Sequence, residues 1–193
     1  MTWLVAGLGN PGPRYAKNRH NLGYVVVDEL ASRGGERFRK ARFVPADVCG
    51  IKESGERVLL AKAHAFMNEN GPAFASLARK HRVEPDHVIA VHDDIDLPFG
   101  ALRLKFGGST AGHNGLRSLS GALRTPEFHR VRLGVGRPPG SKDSADWVLE
   151  DFAKREEADV ALLVDDGADA VVSLVREGLQ ITQDRFNRSG PRS

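Results

Sequence analysis

Cysteine is almost absent: Cys49 is the only one in 193 residues. A lone thiol can form neither an intramolecular bridge nor a cysteine-based metal cluster, so a disulfide scaffold is excluded. It also fits a reducing compartment. Long apolar runs are missing as well. Stretches such as 160–164 fall far short of the roughly 20 residues that cross a bilayer, so no membrane partner is expected. The opening MTWLVAGLGN carries no basic n-region, and its apolar run breaks at Gly7. The chain is therefore expected in the cytoplasm. Hydrophobic residues make up 40% and charged residues 27%, an ordinary globular balance that excludes fibrous and wholly disordered chains.

The net charge of +3 hides an uneven distribution. Between 102 and 142 there are eight basic residues (Arg103, Lys105, Arg117, Arg124, Arg130, Arg132, Arg137 and Lys142) against Glu127 alone. From 143 to 169 ten acids face only Lys154 and Arg155, while 14–42 holds eight basic residues and three acids. A surface built this way is expected to present a positive face to a polyanion such as nucleic acid. The plainer alternative is a scattering of Lys and Arg that only solvates the surface.

Periodicity predicts strands at 3–8, 44–51, 57–63, 87–91, 101–106 and 128–135. It predicts helices at 21–32, 72–81 and 114–123, with one or two more across 156–186. The polar triplet His92-Asp93-Asp94 reads as the loop that closes the fourth strand. Strands interleaved with helices imply a single-domain α/β fold, a three-layer α/β/α sandwich around a mixed, twisted sheet. Residues 1–186 read as one catalytic domain and 187–193 as a flexible tail.

Chemistry-bearing residues collect at the strand ends, where α/β sheets place their sites. The segments are Gly7-Leu8-Gly9-Asn10-Pro11-Gly12 leading to Asn18-Arg19-His20-Asn21, then Phe66-Met67-Asn68, His92-Asp93-Asp94 and Gly112-His113-Asn114-Gly115. The first is a G-x-G-x-x-G, yet Pro11 and Pro13 occupy the turn and the helix starts about ten residues late. A dinucleotide fingerprint needs that helix to open within the glycines. No serine sits in a G-x-S-x-G elbow. His92, Asp94 and Asp96 share one face of an extended segment, which leaves a metal reading open although no further cluster completes it. His20 with Asp93 forms the more productive pair. A carboxylate on the imidazole Nδ1 proton fixes the tautomer and leaves Nε2 to take a proton from water. Asn10, Asn68 and Asn114 are neutral amides suited to ester and amide carbonyls, and Tyr15 and Phe66 offer flat surfaces for a base or ribose.

Taken together, these motifs, with Arg132-Leu133-Gly134-Val135-Gly136-Arg137-Pro138, resemble the bacterial peptidyl-tRNA hydrolase family over about residues 3–185. The resemblance implies an esterase that frees tRNA from peptides lost by stalled ribosomes. It assigns His20 as the base, Asp93 as the group holding it in its basic form, and Asn10 as the monitor of amino-group acylation. By the same pattern Tyr15, Phe66, Asn68 and Asn114 bind substrate, and Met67 and His113 line the cleft. Lys105 and Arg132 would grip the tRNA 5′-phosphate. The family pattern further implies a monomer with no metal, no cofactor and no obligate protein partner. Asn70 replaces an expected serine, and Ser109-Thr110-Ala111 replaces a glycine-rich run; both are expected to alter the cleft's shape.

Overall fold

The first apolar run has Leu4, Val5 and Ala6 completely buried and forms β1 (Thr2–Gly7). A strand buried on both faces belongs inside a parallel sheet. In the computed structural model, which describes residues 1–187, β1 pairs in parallel with β4 (Glu56–Ala63) and β5 (Val88–Asp94). β5 in turn pairs in parallel with β7 (His129–Gly134). Antiparallel strands finish both edges: β3 (Ala46–Glu53) and the two-residue β2 (Arg39–Lys40) on one side, β6 (Leu102–Phe106) on the other. The sheet order is β2-β3-β4-β1-β5-β7-β6.

Side-chain alternation along these strands builds two cores. Val5, Leu60, Val91 and Val131 pack against α1 (Leu22–Arg33), α5 (Glu157–Glu177) and α6 (Leu179–Phe186). Leu4, Ala6, Leu59 and Ala90 pack against α2 (Gly71–His81) and α3 (Asn114–Leu123). The result is the expected three-layer sandwich with a mixed sheet. Among the described residues no helix is long and apolar enough to cross a membrane.

Two features of this arrangement place the site. The chain leaves β1 with β4 on one side and β5 on the other, which opens a crevice at their carboxyl ends. The helix α1 then sits directly on that rim because position 23 is glycine: a Cβ there would collide with the backbone of Leu8 and the carbonyl of Val91.

The structure departs from expectation in three places. β5 runs on through Asp94, so His92-Asp93-Asp94 is buried strand and not loop. The stretch predicted at 156–186 forms two helices, within the expectation of one or two, and they part at Gly178, whose φ of 83° suits glycine. A short helix, α4 (Ser144–Val148), forms in the acidic segment, where Asp143 caps it by accepting from the Ala145 N–H. Of the expected tail, Asn187 is fastened to β6, its Oδ1 accepting from Leu104 N at 2.8 Å; residues 188–193 lie outside the described residues.

Candidate active site

Alternation within β5 sends neighbouring residues to opposite faces, and this divides the labour at the rim. Asp93 follows Ile89 and Val91 toward the α1 layer, whereas His92 follows Val88 and Ala90 toward the α3 layer. Asp93 is 1% exposed. His20, 9% exposed, lies in a 3-10 turn just before α1 and turns its Nδ1 onto that carboxylate, 2.9 Å from both oxygens. The Nδ1 proton is therefore given to Asp93, and Nε2 is left as the ring's free lone pair. Burial disfavours the charged imidazole, but the Asp93 charge and hydrogen bond outweigh it and raise the His20 pKa above the ordinary histidine value. Asp93 thus strengthens the ring as a base; it does not simply keep it uncharged. Burial alone would raise the Asp93 pKa, yet His20 and His113 together hold it well below the usual carboxylate range.

His113 closes on the same carboxylate from the other side, with Nε2 3.1 Å from Asp93 Oδ1. Its Nδ1 accepts from the N–H groups of Gly115 and Leu116 and so caps α3. Nδ1 being committed as an acceptor, Nε2 must carry the proton and donate it to Asp93. The facing rings of His20 and His113 stand 4.9 Å apart. Nδ1 of His20, Asp93 and Nε2 of His113 lie within 4.8 Å of one another, a spacing that suits a small cation. Their chemistry does not, because a cation there would have to displace both ring protons and release the α3 cap.

His92, Asp94 and Asp96 do not converge on a common point. The His92 Nδ1 donates to the Asp93 carbonyl at 2.7 Å, and deep burial, with the nearby His113, pushes its pKa well below the ordinary value. Asp94 binds Arg132, whose Nε lies 2.9 Å from Oδ2, and Asp96 pairs with Arg137.

Alternation also builds the positive face. In β6 and β7, Leu102, Leu104, Val131 and Leu133 enter the α1–α5 core, so Arg103, Lys105, Arg130 and Arg132 turn the other way. Lys105 and Arg132 line a pocket of about 290 Å³ together with His20, Asp93, His113 and Asn114. Burial and the neighbouring Arg132 and Arg130 lower the Lys105 pKa, as expected where cations gather without enough anions. The face is thinner than the count of basic residues implies. Arg130 is completely buried, donating to the carbonyls of Ser109, Gly108 and Pro126, and Lys142 pairs with Glu150.

Asn10 is not among the residues that line this pocket; it lines another groove, with Tyr24, Lys62 and His64. Its Oδ1 accepts from Met67 N at 2.7 Å, which turns its NH₂ away from that partner. Asn10 and Asn21 exchange two hydrogen bonds, Asn10 N to Asn21 Oδ1 and Asn21 Nδ2 to the Asn10 carbonyl, both 2.8 Å. That pair ties the glycine turn to the residue after His20. Met67 is buried, while Phe66 and Asn68 are exposed around it, and Phe66 meets Tyr15 edge-on at 6.0 Å. Glycine at position 115 makes room for Met67, since a Cβ there would lie 2.4 Å from its sulfur and force that side chain to shift. The unexpected Asn70 is completely buried behind Met67, its Nδ2 3.5 Å from Sδ. It sits beneath the cleft and not in its wall.

Sequence reasoning gave no role to Asn21, to Arg19, or to His113 as a second partner of Asp93. The motif containing both residues was visible, but nothing in it announces that Asn21 will pair with Asn10 eleven residues earlier, and the partners of Arg19 lie more than a hundred residues on.

Comparison with known proteins bears on the family and the fold. The family described as Peptidyl-tRNA hydrolase matches residues 4–193. A peptidyl-tRNA hydrolase of Arthrobacter sp. is 51% identical over 189 residues, covering 96% of each chain. That of Mycobacteroides abscessus is 52% identical over 187 residues, covering 97% of this chain and 95% of its own. The crystal structure of peptidyl-tRNA hydrolase from Acinetobacter baumannii superposes with a TM-score of 0.91 at 29% identity, over 99% of this chain and 97% of that one.

Proposed function

Since the chain belongs to the peptidyl-tRNA hydrolase family and is a hydrolase acting on the peptide–tRNA ester, we propose that His20 is its general base and that Asp93 sets the strength of that base. The supporting observation is the tautomer: Nδ1 is spent on Asp93, so Nε2 is the atom left to accept a proton at the pocket. Water gives that proton to Nε2 as its oxygen bonds to the ester carbonyl carbon. The resulting tetrahedral oxyanion collapses, the bond between the acyl carbon and the ribose oxygen breaks, and the imidazolium returns the proton to the departing ribose oxygen. A positioned base of this kind contributes on the order of 10²–10⁴-fold. An amide donor at the oxyanion adds on the order of 10²–10³-fold. Asn10 supplies its NH₂ for such a role, or for reading the acylated amino group; in support, Met67 N–H occupies its oxygen and leaves the NH₂ as the donor.

Tyr15, Phe66, Met67, Asn68 and Asn114 bind the peptide and the terminal nucleotide around that centre. Lys105 and Arg132 take the 5′-phosphate of the acceptor end, Arg132 having been oriented by Asp94 through Nε with its terminal nitrogens left for the anion. Contacts of this type give affinity without reading bases, so binding weakens steeply with salt. The enzyme works as a monomer in the cytoplasm, where its substrate arises.

The decisive experiment compares wild-type and His20→Ala enzyme on N-acetylated aminoacyl-tRNA. Turnover falls by about 10²–10⁴-fold with the fold retained; near-normal turnover overturns the assignment.

A further inference from the structure

We propose that Arg19 is a positioning residue for the hydrolytic base: it locks the turn that carries His20 onto the segment that forms one wall of the pocket. The proposal rests on the reading of His20 given above. Arg19 is 3% exposed, an unusual state for a guanidinium. Its Cζ lies over the Trp147 ring, 3.6 Å from the centroid, and 5.0 Å from the centroid of Phe152. One terminal nitrogen donates to the carbonyls of Glu150 and Asp151 at 3.2 and 3.0 Å. The other reaches Glu156 Oε2 at 3.1 Å, and that oxygen also accepts from Ala153 N at 2.6 Å.

The flanking backbone repeats the connection. Arg19 N donates to the Glu150 carbonyl at 3.1 Å, and Asn18 Nδ2 donates to Asp151 Oδ1 at 2.6 Å. The segment fastened in this way contains α4, whose Ser144, Ala145 and Val148 line the same pocket as Lys105 and Arg132. His20 is therefore held from two sides, Asn21 tying it to the glycine turn and Arg19 tying it to the wall. A substrate leaning on that wall presses, through one side chain, on the residue that accepts the proton. Lysine cannot replace the arginine here. It would keep one charge for Glu156 but lose the guanidinium's contact with the ring and the fork that reaches the two carbonyls with one nitrogen and Glu156 with the other.

The test uses the full chain with Arg19→Lys and Trp147→Ala, with Trp147→Phe as the conservative control. kcat and KM are measured on N-acetylated aminoacyl-tRNA, and the His20 ring is titrated by ¹⁵N NMR, its signal identified by its loss in His20→Ala. Small displacements of a reacting group cost up to about 10²-fold. Arg19→Lys and Trp147→Ala are accordingly expected to lower kcat by about tenfold or more, with KM changed less than about threefold. The His20 titration midpoint moves down toward the ordinary histidine value as its hold on Asp93 loosens, and Trp147→Phe restores most of both. A lowered melting temperature with kcat and the His20 midpoint unchanged in the folded enzyme overturns the proposal. Should Arg19→Lys not fold, the Trp147 pair decides alone: equal kcat in Trp147→Ala and Trp147→Phe overturns it. Failure of the base assignment is separable, because it appears as turnover retained in His20→Ala whatever the Arg19 variants do.

Discussion

His20 and His113 are the same residue type on the same carboxylate, at nearly the same distance, 2.9 and 3.1 Å. They differ in what the second ring nitrogen does. In His113 it is consumed by the first turn of α3; in His20 no group among the described residues claims it, and the ring faces the pocket. A contact with an acid therefore does not make a histidine a base. The remaining nitrogen decides, and its freedom is set by the local backbone: a 3-10 turn before α1 for one, a helix cap for the other.

The largest way to break this contrast is at the shared partner. Asp93→Asn leaves burial of the His20 ring in place but removes the charge that raises its pKa. The acid limb of kcat/KM, set by His20 deprotonation, should lie above about 6.5 in the wild type and below it in the variant, with the plateau reduced because the amide no longer dictates the tautomer. A pH–rate profile checks both changes; an acid limb that stays in place removes Asp93 from the mechanism. A smaller effect sharpens the other half. His113→Ala loses the α3 cap and should cost about 1 kcal/mol of stability by denaturant melting, while kcat falls far less than in His20→Ala. Equal losses at the two positions would show that they are not different in kind. Smallest for the chemical step is the joint removal of charge at Lys105 and Arg132, Lys105→Met with Arg132→Gln. KM for tRNA substrates should rise and its salt dependence flatten by up to about two charges, with kcat spared.

Much of the frame was legible in the sequence because it follows from local periodicity. Helix α3 falls on its predicted bounds, and α2 begins one residue early, at Gly71. The failures share a cause. His92-Asp93-Asp94 reads as loop because three polar residues in a row do not suit a sheet interior, yet both carboxylates are matched by groups remote in the chain, His20 and His113 for Asp93 and Arg132 for Asp94, and His92 is satisfied by the neighbouring Asp93 carbonyl. For Arg19 the error runs the other way. Its charge reads as surface, but Trp147, Phe152 and Glu156 lie more than a hundred residues on and leave no trace near position 19. The His20–Asp93 pairing was foreseeable from chemistry. The second imidazole was not, because nothing near position 113 announces that its ring will reach back across the strand.

Asp93 and Asp94 are consecutive on β5, one serving the imidazole and the other aligning the arginine. Successive residues of a strand are about 3.3 Å apart, and this strand is hydrogen-bonded on both flanks, by β1 and β7. If the roles proposed for His20 and Arg132 hold, the interval between where a bond is cut and where an anion is grasped is thereby engraved in the backbone like marks on a gauge. No loop can stretch it, so evolution could retune either end of this enzyme far more easily than the length between them.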